Sequence, residues 1–349
     1  MSAAPRNAAD QAAHLLKRAG RWQLWEIALW LAAVAMILVL PSQMLILTEI
    51  AILALLAVSL DLILGYAGIV SLGHAAFFGL GAYAAGLFAI HVCTEPVTGL
   101  LFAGLVSGLF GLATSFLVLR GSDLTRLMTT FGVAMLLAEL VNQTAWFTGG
   151  ADGLSGVTIT PILGLFEFDL WGRTGYIYAL AVLMLLTFIA RRIVNSPYGL
   201  SLKAIKRNPT RAAMLGISPN RRIVVIYTIA AIYAGMAGAL LTQTTSFVSP
   251  DVLAFHRSAD VLLVLVMGGV GYLYGGILGA VIFSILRDWL SIITPQYWMF
   301  WIGLILIVIV MIGRDRVTRW QALLPGSATN RELKARKAAE AALASEASK

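Results

Sequence analysis

Residues 195–222 read NSPYGLSLKAIKRNPTRAAMLGISPNRR, the longest polar interval in an otherwise apolar chain. The interval contains six lysine and arginine residues and no acid, and Arg191 and Arg192 stand just before it. Long apolar runs flank it on both sides, and cations concentrate in the cytoplasmic loops of membrane proteins. We therefore predict a cytoplasmic loop between two membrane spans, and this loop orients the rest of the chain.

A short helix with its own end signals lies inside this loop. Asn208 suits the N-cap, Pro209 the first helical position and Gly216 the residue after the last turn. Proline lacks the N–H that the first position does not use, and glycine can adopt the left-handed backbone that ends a helix. We expect a rod over Pro209–Leu215, held outside the membrane where a partner can reach it.

The composition is that of a membrane protein. Of 349 residues, 59% are hydrophobic and 12% are charged, whereas soluble domains carry about 25% charged residues. Apolar runs of about 20 residues are the length of transmembrane helices. The net charge of +8 does not indicate nucleic-acid binding, because the cations gather at the N-terminus, in the 195–222 loop and after Gly313. Cys93 is the only cysteine, which excludes an intrachain disulfide.

The apolar runs predict an all-α polytopic protein of about ten membrane segments. Their approximate ranges are 24–40, 44–64, 73–91, 97–119, 124–147, 175–194, 223–244, 258–270, 275–293 and 297–312. The segment at 258–270 is too short for a full span and is predicted to be short or re-entrant. An even count puts both termini on one side, and with both in the cytoplasm 22 of the 25 lysines and arginines lie inside.

This topology divides the chain into three parts. Residues 1–23 form a cytoplasmic N-terminal segment, residues 24–313 the transmembrane domain and residues 314–349 a cytoplasmic polar tail. Within the transmembrane domain, residues 195–222 form the cytoplasmic loop, and residues 148–174 form a periplasmic loop that is placed to meet an external partner.

Small residues recur at four-residue spacing in several of the spans. Such rows let helices approach closely, and they also permit unwound backbone along a solute path. Polar side chains at membrane depth are costly and mark candidate functional positions. Either helix packing or lining of a path accounts for the resulting set of candidates: Ser71, His74, Gly79, Gly81, Gly235, Gly238, Gly268, Gly269 and Gly271.

The sequence offers no site for enzymatic chemistry. It contains no GxxxxGK[ST] phosphate-binding motif, no histidine, cysteine and carboxylate group with metal-ligand spacing, and no serine, histidine and acid set. We therefore expect no enzyme activity, no metal and no cofactor bound by this chain.

Six blocks, taken together and in order, resemble one family. The chain is similar to the permease subunits of ATP-binding cassette (ABC) importers for branched-chain amino acids, the Liv type, and more to their M-type than to their H-type member. The blocks are GYAGIVSLGHAAFFGLGAYAAG (65–86), TGGADGLSGV (148–157), SPYGLSLKAIKRNPTRAAMLGI (196–217), AGMAGAL (234–240), SFVSPD (246–251) and MGGVGYLYGGILGA (267–280).

The resemblance implies a multi-pass protein of the bacterial inner membrane and a set of partners. These are a second, H-type permease that completes the path, two ATPase subunits that bind ATP and magnesium, and a periplasmic substrate-binding protein. The short helix of the basic loop then resembles the coupling helix that docks into an ATPase, with the candidate contacts Asn208, Pro209, Arg211, Ala212, Ala213 and Gly216.

Branched-chain amino acids are the first expectation for the solute. Other amino acids, urea-like amides and small aromatic carboxylates are alternatives within the same family. A secondary transporter driven by an ion gradient is an alternative of another class, but it would leave the capped basic helix without a purpose.

Overall fold

The computed structural model describes residues 24–119, 121, 123–162, 164, 166, 169 and 171–312. These residues are almost entirely helical, and they contain two isolated β-bridges and no extended strand. The predicted N-terminal segment 1–23 and the predicted tail 314–349 lie outside the described residues.

Twelve α-helices of the described residues carry the labels used below, whereas turns of three or four residues and the π-helical turn Leu62–Ala67 carry none. They are α1 (Leu24–Val39), α2 (Met44–Asp61), α3 (His74–His91), α4 (Pro96–Val118), α5 (Asp123–Gln143), α6 (Arg173–Val194), α7 (Pro197–Arg207), α8 (Pro209–Met214), α9 (Pro219–Thr245), α10 (Phe255–Gly268), α11 (Leu273–Ile293) and α12 (Trp298–Ile312). Every predicted membrane segment coincides with one of these helices, and α7 and α8 make up the basic loop.

Seven helical stretches of the described chain are long and apolar enough to cross a membrane. They are α3, α4, α5, α6, α9, α11 and the continuous helical stretch Pro41–Ala67 that contains α2. Three of the predicted segments are shorter helices, namely α1, α10 and α12. The all-helical membrane architecture is therefore confirmed, while the count of ten spans and the side of the termini stay predictions.

The chain forms two compact units, Met1–Ile285 and Leu286–Lys349. In the first unit, α3, α4 and α9 pack together most extensively, and α2 lies against α6 and α9. Small residues explain the closeness of this core: a methyl group on Gly81 would collide with the backbone of Gly235, and one on Gly238 would lie 2.8 Å from the amide nitrogen of Ala82. Helices in lipid associate mainly through such close contacts.

The helical backbone of the first unit is interrupted at two places in its interior. The α2 helix continues as a π-helical turn, Leu62–Ala67, and stops at Gly68, whose φ is 77°. Residues 69–73 are not helical before α3 begins. The second break follows α9, where residues 246–254 leave the helix, pair at Val248 with Leu154 and form the 3-10 turn Pro250–Leu253 before α10 begins.

The predicted short segment is a helix of 14 residues, α10, which begins at Phe255 and ends at Gly268. One local prediction was wrong. The four-residue spacing of Gly271, Gly275 and Gly279 predicts one helical row, but Gly271 lies in the turn between α10 and α11 with a φ of 86°. Glycine is favoured there because a side chain would strain a left-handed backbone.

Candidate functional site

The basic loop folds into two consecutive helices that end on an exposed apolar tip. The Asn208 side chain accepts a hydrogen bond from the Arg211 amide at 2.9 Å, Pro209 is the first helical residue, and Gly216 has a φ of 81°. The predicted end signals are therefore confirmed as local structure. Because a helix end leaves backbone groups unpaired, these residues allow α8 to stop after less than two turns.

The two alanines of α8 have opposite environments. Ala213 is exposed, whereas Ala212 is buried within its own chain and its carbonyl accepts the Ile217 amide at 3.1 Å. Sequence reasoning missed the side chains that follow them. Met214 and Leu215 are 82% and 75% exposed, and large apolar side chains that extend from a polar loop indicate a protein contact. These two apolar residues stand directly beside the polar end signals of α8, and this position in the sequence could have predicted the exposed tip.

The helix α7 was not predicted, and it connects the loop to the membrane helices. Lys206 Nζ donates to the Gly65 carbonyl at 2.7 Å, within the π-helical turn at the end of α2. The ammonium of Lys203 lies 5.4 Å from the centre of the Tyr66 ring in the same turn, and partial burial lowers the pKa of Lys203. Gly65 lies in the last turn before the helical stretch ends at Gly68, and the last four carbonyl groups of a helix have no intrahelical partner, which gives Lys206 its acceptor.

The far end of the π-helical turn reaches the turn between α10 and α11. Asp61 Oδ1 accepts a hydrogen bond from the Gly271 amide at 2.7 Å, and Asp61 is fully buried. A carboxylate that accepts a backbone N–H at this distance makes a strong bond. The contacts of Lys206 and Asp61 therefore join α7, the end of α2 and the start of α11 into one connected structure.

A second set of contacts closes the base of the loop. Tyr198 Oη donates to the Arg222 carbonyl at 2.6 Å, and Arg222 donates to Ser201 Oγ at 2.7 Å. Burial raises the pKa of Tyr198 to about 12, although the nearby Arg222 opposes that shift. Tyr198 therefore stays protonated at neutral pH and remains a donor. These bonds attach α7 to the first turn of α9.

Arg191 belongs to the buried part of the protein, although the sequence grouped it with the exposed cations. It forms an ion pair with Glu26 of α1, and it also donates to Tyr274 Oη at 3.2 Å. Both charged side chains are buried. The neighbouring Arg192 is exposed and lies over the Phe188 ring.

The predicted interior residues Ser71 and His74 lie at the first helix break, and both are fully buried. His74 Nε2 is 2.6 Å from Ser59 Oγ on α2, and the next amide, that of Ala75, donates to Ser258 Oγ on α10 at 2.9 Å. His74 therefore holds the start of α3 against α2. The Ser71 hydroxyl and His74 Nδ1 have no hydrogen-bond partner within the described residues.

The candidate glycines fall into two groups. Gly79, Gly81, Gly235, Gly238 and Gly268 lie where a methyl group would collide with a neighbouring segment, and their geometry favours the packing interpretation. Gly269 and Gly271 have positive φ values and form the turn after α10.

The loop that was predicted to face the periplasm, 148–174, is tied to the rest of the chain by backbone bonds. The Leu154 amide donates to the Val248 carbonyl at 2.8 Å, and the Thr160 amide donates to the Thr94 carbonyl at 3.1 Å. Trp146 just before the loop and Trp171 near its end are exposed. A cleft of about 290 Å³ adjoins the end of the loop and is lined by Pro41, Ser42, Asp169, Trp171 and Arg173. Over the described residues, no group of three histidine, cysteine or acidic side chains could hold a metal ion.

Comparisons with known proteins identify relatives of this chain. Residues 43–310 match the family described as branched-chain amino acid transport system / permease component. The chain is 30% identical to the high-affinity branched-chain amino acid transport system permease protein LivM of Salmonella typhimurium, over 80% of this chain and 69% of that protein.

More distant similarities extend to related permeases. Identity is 22% to the permease protein LivH of Salmonella typhimurium, over 66% of this chain and 79% of that protein. It is 27% to the ribose import permease protein RbsC of Bacillus subtilis, over 45% of this chain and 53% of that protein. No solved structure matches the chain.

Proposed function

The chain belongs to the family of permease components of branched-chain amino acid transport systems, and we propose that it forms half of the membrane path of an ATP-driven importer for branched-chain amino acids. The observation that carries the proposal is the match over residues 43–310, together with an exposed, capped helix on the loop between α6 and α9. A transport subunit of this kind performs no chemistry of its own and needs a source of energy.

Two partner ATPases supply that energy, and α8 is the contact through which it reaches this chain. Met214 and Leu215 present an apolar tip, and Arg207 and Arg211 flank it with positive charge. An apolar anchor surrounded by charge fits a cleft with an acidic rim in a partner protein. ATP and magnesium bind to those partners, and this chain holds neither.

Movement of α8 reaches the membrane helices through α7. The bond from Lys206 to Gly65 and the bond from Gly271 to Asp61 connect α7, the end of α2 and the turn that precedes α11. Packed segments of this kind move as bodies rather than deform continuously. A shift of α7 therefore displaces the helix ends near the first break.

The remaining partners are a second permease, which completes the path, and a periplasmic binding protein, which delivers the solute. The existence of the related proteins LivM and LivH in one kind of transport system supports a pair of unlike permeases. The 148–174 loop, with its exposed tryptophan neighbours, is the surface for the binding protein, and the assembly lies in the bacterial inner membrane.

The test is uptake of radiolabelled leucine by the complete importer in liposomes. Met214→Asp with Leu215→Asp should abolish copurification of the ATPases and ATP-driven uptake, because two carboxylates cannot enter an apolar cleft without large desolvation. Asn220→Asp is the control, since it adds a negative charge to the same loop outside α8. Normal uptake by the double variant would contradict coupling through α8.

A different solute is the second candidate, and the similarity to a ribose import permease is the observation that favours it. Uptake of radiolabelled ribose and leucine by the same liposomes distinguishes the two. Uptake that needs no ATP would instead identify a secondary transporter.

A further inference from the structure

The segment between α9 and α10 carries charged side chains into the middle of the protein. Val252 and Leu253 flank Gly79 of α3, so that a methyl group there would lie 3.3 Å from Val252 Cγ2. Gly79 is about 8 Å from the start of α3 and about 18 Å from its end at 1.5 Å per residue. Residues 250–253 therefore lie well inside the span of α3.

A contact with a second membrane helix places the start of α10 at a similar depth. The Phe255 ring meets the Phe131 ring of α5 edge to face, with centroids 5.2 Å apart. Phe131 is about 12 Å from the start of α5 and about 18 Å from its end. Two spans thus place the start of α10 near the middle of the hydrocarbon layer, which is about 30 Å thick.

Three ionisable side chains occupy this depth, and we call them the mid-depth charge cluster. Asp251 Oδ1 lies 3.4 Å from His256 Nε2, and Asp251 Oδ2 lies 3.5 Å from an Arg257 terminal nitrogen. Their side chains are 50%, 48% and 42% exposed. The Arg257 Nε–H is buried and donates to no group among the residues that the structure describes.

Half-exposed charges at this depth cannot face lipid tails. Ionisable groups inside a membrane protein face the protein interior or a water-filled cavity, because hydrocarbon does not solvate them. Backbone outside a helix is subject to the same restriction, and residues 246–249 and 254, on either side of the 3-10 turn, are of that kind. The cluster and the unwound segment thus point to the same water-filled space.

We propose that the mid-depth charge cluster lines the solute path and binds the charged groups of a zwitterionic amino acid in transit. This inference rests on the proposed import of amino acids. The Arg257 guanidinium receives the α-carboxylate and Asp251 receives the ammonium, so the solute replaces the contacts that the two side chains make with each other. The ion-pair distances of 3.4 and 3.5 Å and the half-exposed side chains suit such an exchange.

The first experiment measures water access in the complete importer in liposomes. In a Cys93→Ser background, His256→Cys should react with the anionic reagent sulfonatoethyl methanethiosulfonate. Leu105→Cys, an exposed position about 14 Å inside α4, should stay unmodified. Cys93 in the parent chain is exposed and gives the rate of an accessible thiol. Asp251→Cys serves as a second probe, and absence of reaction at both cluster positions would overturn the proposal.

The second experiment measures solute handling. Arg257→Gln should lower leucine uptake about tenfold or more, because a charge-assisted contact to the carboxylate is lost. Hydrolysis of ATP by the same complex should persist. Arg192→Gln, which removes an exposed cation at the end of α6, should leave uptake unchanged.

The outcomes separate this inference from the proposed function. Leucine uptake that Arg257→Gln leaves unchanged overturns the cluster as a binding site while import stands. A parent importer without ATP-dependent leucine uptake contradicts the proposed solute, and the thiol reaction at His256→Cys still decides whether the cluster faces water.

Discussion

Arg191 and Arg192 are identical neighbours whose surroundings differ completely. Arg191 is buried against Glu26 and Tyr274, whereas Arg192 is exposed over an aromatic ring. Burial of a charge is tolerated only when a partner compensates for the lost water. At the scale of single residues, the contribution of a cation to the stability of the fold therefore depends on whether a partner compensates its charge.

Arg191→Met should destabilise the protein by about 3–5 kcal/mol, because it leaves the Glu26 carboxylate buried without its ion-pair partner. The double variant Glu26→Leu with Arg191→Met should recover much of that loss. Thermal unfolding in detergent measures both, and Arg192→Met is the matched control with little expected effect. Equal effects of Arg191→Met and Arg192→Met would contradict the structural role of the ion pair.

Glycines in the membrane helices likewise differ in how much space their surroundings leave for a side chain. Gly238→Ala should destabilise the α3–α9 contact by about 1–3 kcal/mol, because the new methyl group collides with the backbone of α3. Gly132→Ala on α5 meets no atom within 4 Å and should be neutral or stabilising by up to about 1 kcal/mol. Thermal unfolding of the two variants checks the prediction, and a reversed order would refute the close contact.

At the scale of elements, the π-helical turn Leu62–Ala67 lies between the membrane helix α2 and the basic loop. Its Gly65 carbonyl accepts Lys206, and the Asp61 residue just before it accepts the Gly271 amide. The same short stretch therefore contacts both α7 and the turn that precedes α11. A break in a helix can connect a membrane helix to other segments, because backbone polar groups at the break form hydrogen bonds outside the helix.

Lys206→Gln should uncouple the importer. The shorter neutral side chain loses the bond to Gly65, so that α8 still docks while its movement reaches α2 less completely. We expect ATP hydrolysis to continue and leucine uptake to fall severalfold. Arg221→Gln is the control, because it removes an exposed cation from the same loop and leaves the bond from Lys206 to Gly65 in place. Proportional loss of hydrolysis and uptake in Lys206→Gln would indicate failed docking and contradict this role.

At the scale of the whole molecule, the orientation in the membrane is the main prediction that fusions can test. A fluorescent protein fused after Lys349 should fold and fluoresce, because the C-terminus is predicted to be cytoplasmic. Alkaline phosphatase inserted after Gly156 should be active only if the 148–174 loop is periplasmic. An active phosphatase at the C-terminus would reverse the predicted topology.

The membrane helices and the caps of α8 followed from the sequence alone. Apolar runs of membrane length have few alternatives to a helix, because lipid offers no partner for backbone hydrogen bonds. The caps at Asn208, Pro209 and Gly216 depend on residues within one or two turns, so local chemistry was sufficient. The six sequence blocks were sufficient to indicate the family, and the match over residues 43–310 confirms that family.

Only the tertiary structure decided which polar residues meet. Glu26 and Arg191 are 165 positions apart, and Asp61 and Gly271 are 210 apart, so no local pattern links them. The depth of Asp251, His256 and Arg257 depends on a stretch of unwound backbone that runs beside α3. The sequence determined where helices form because each satisfies its own backbone bonds. The structure decided which charges are buried, paired or exposed, because those states depend on segments that are distant in the chain.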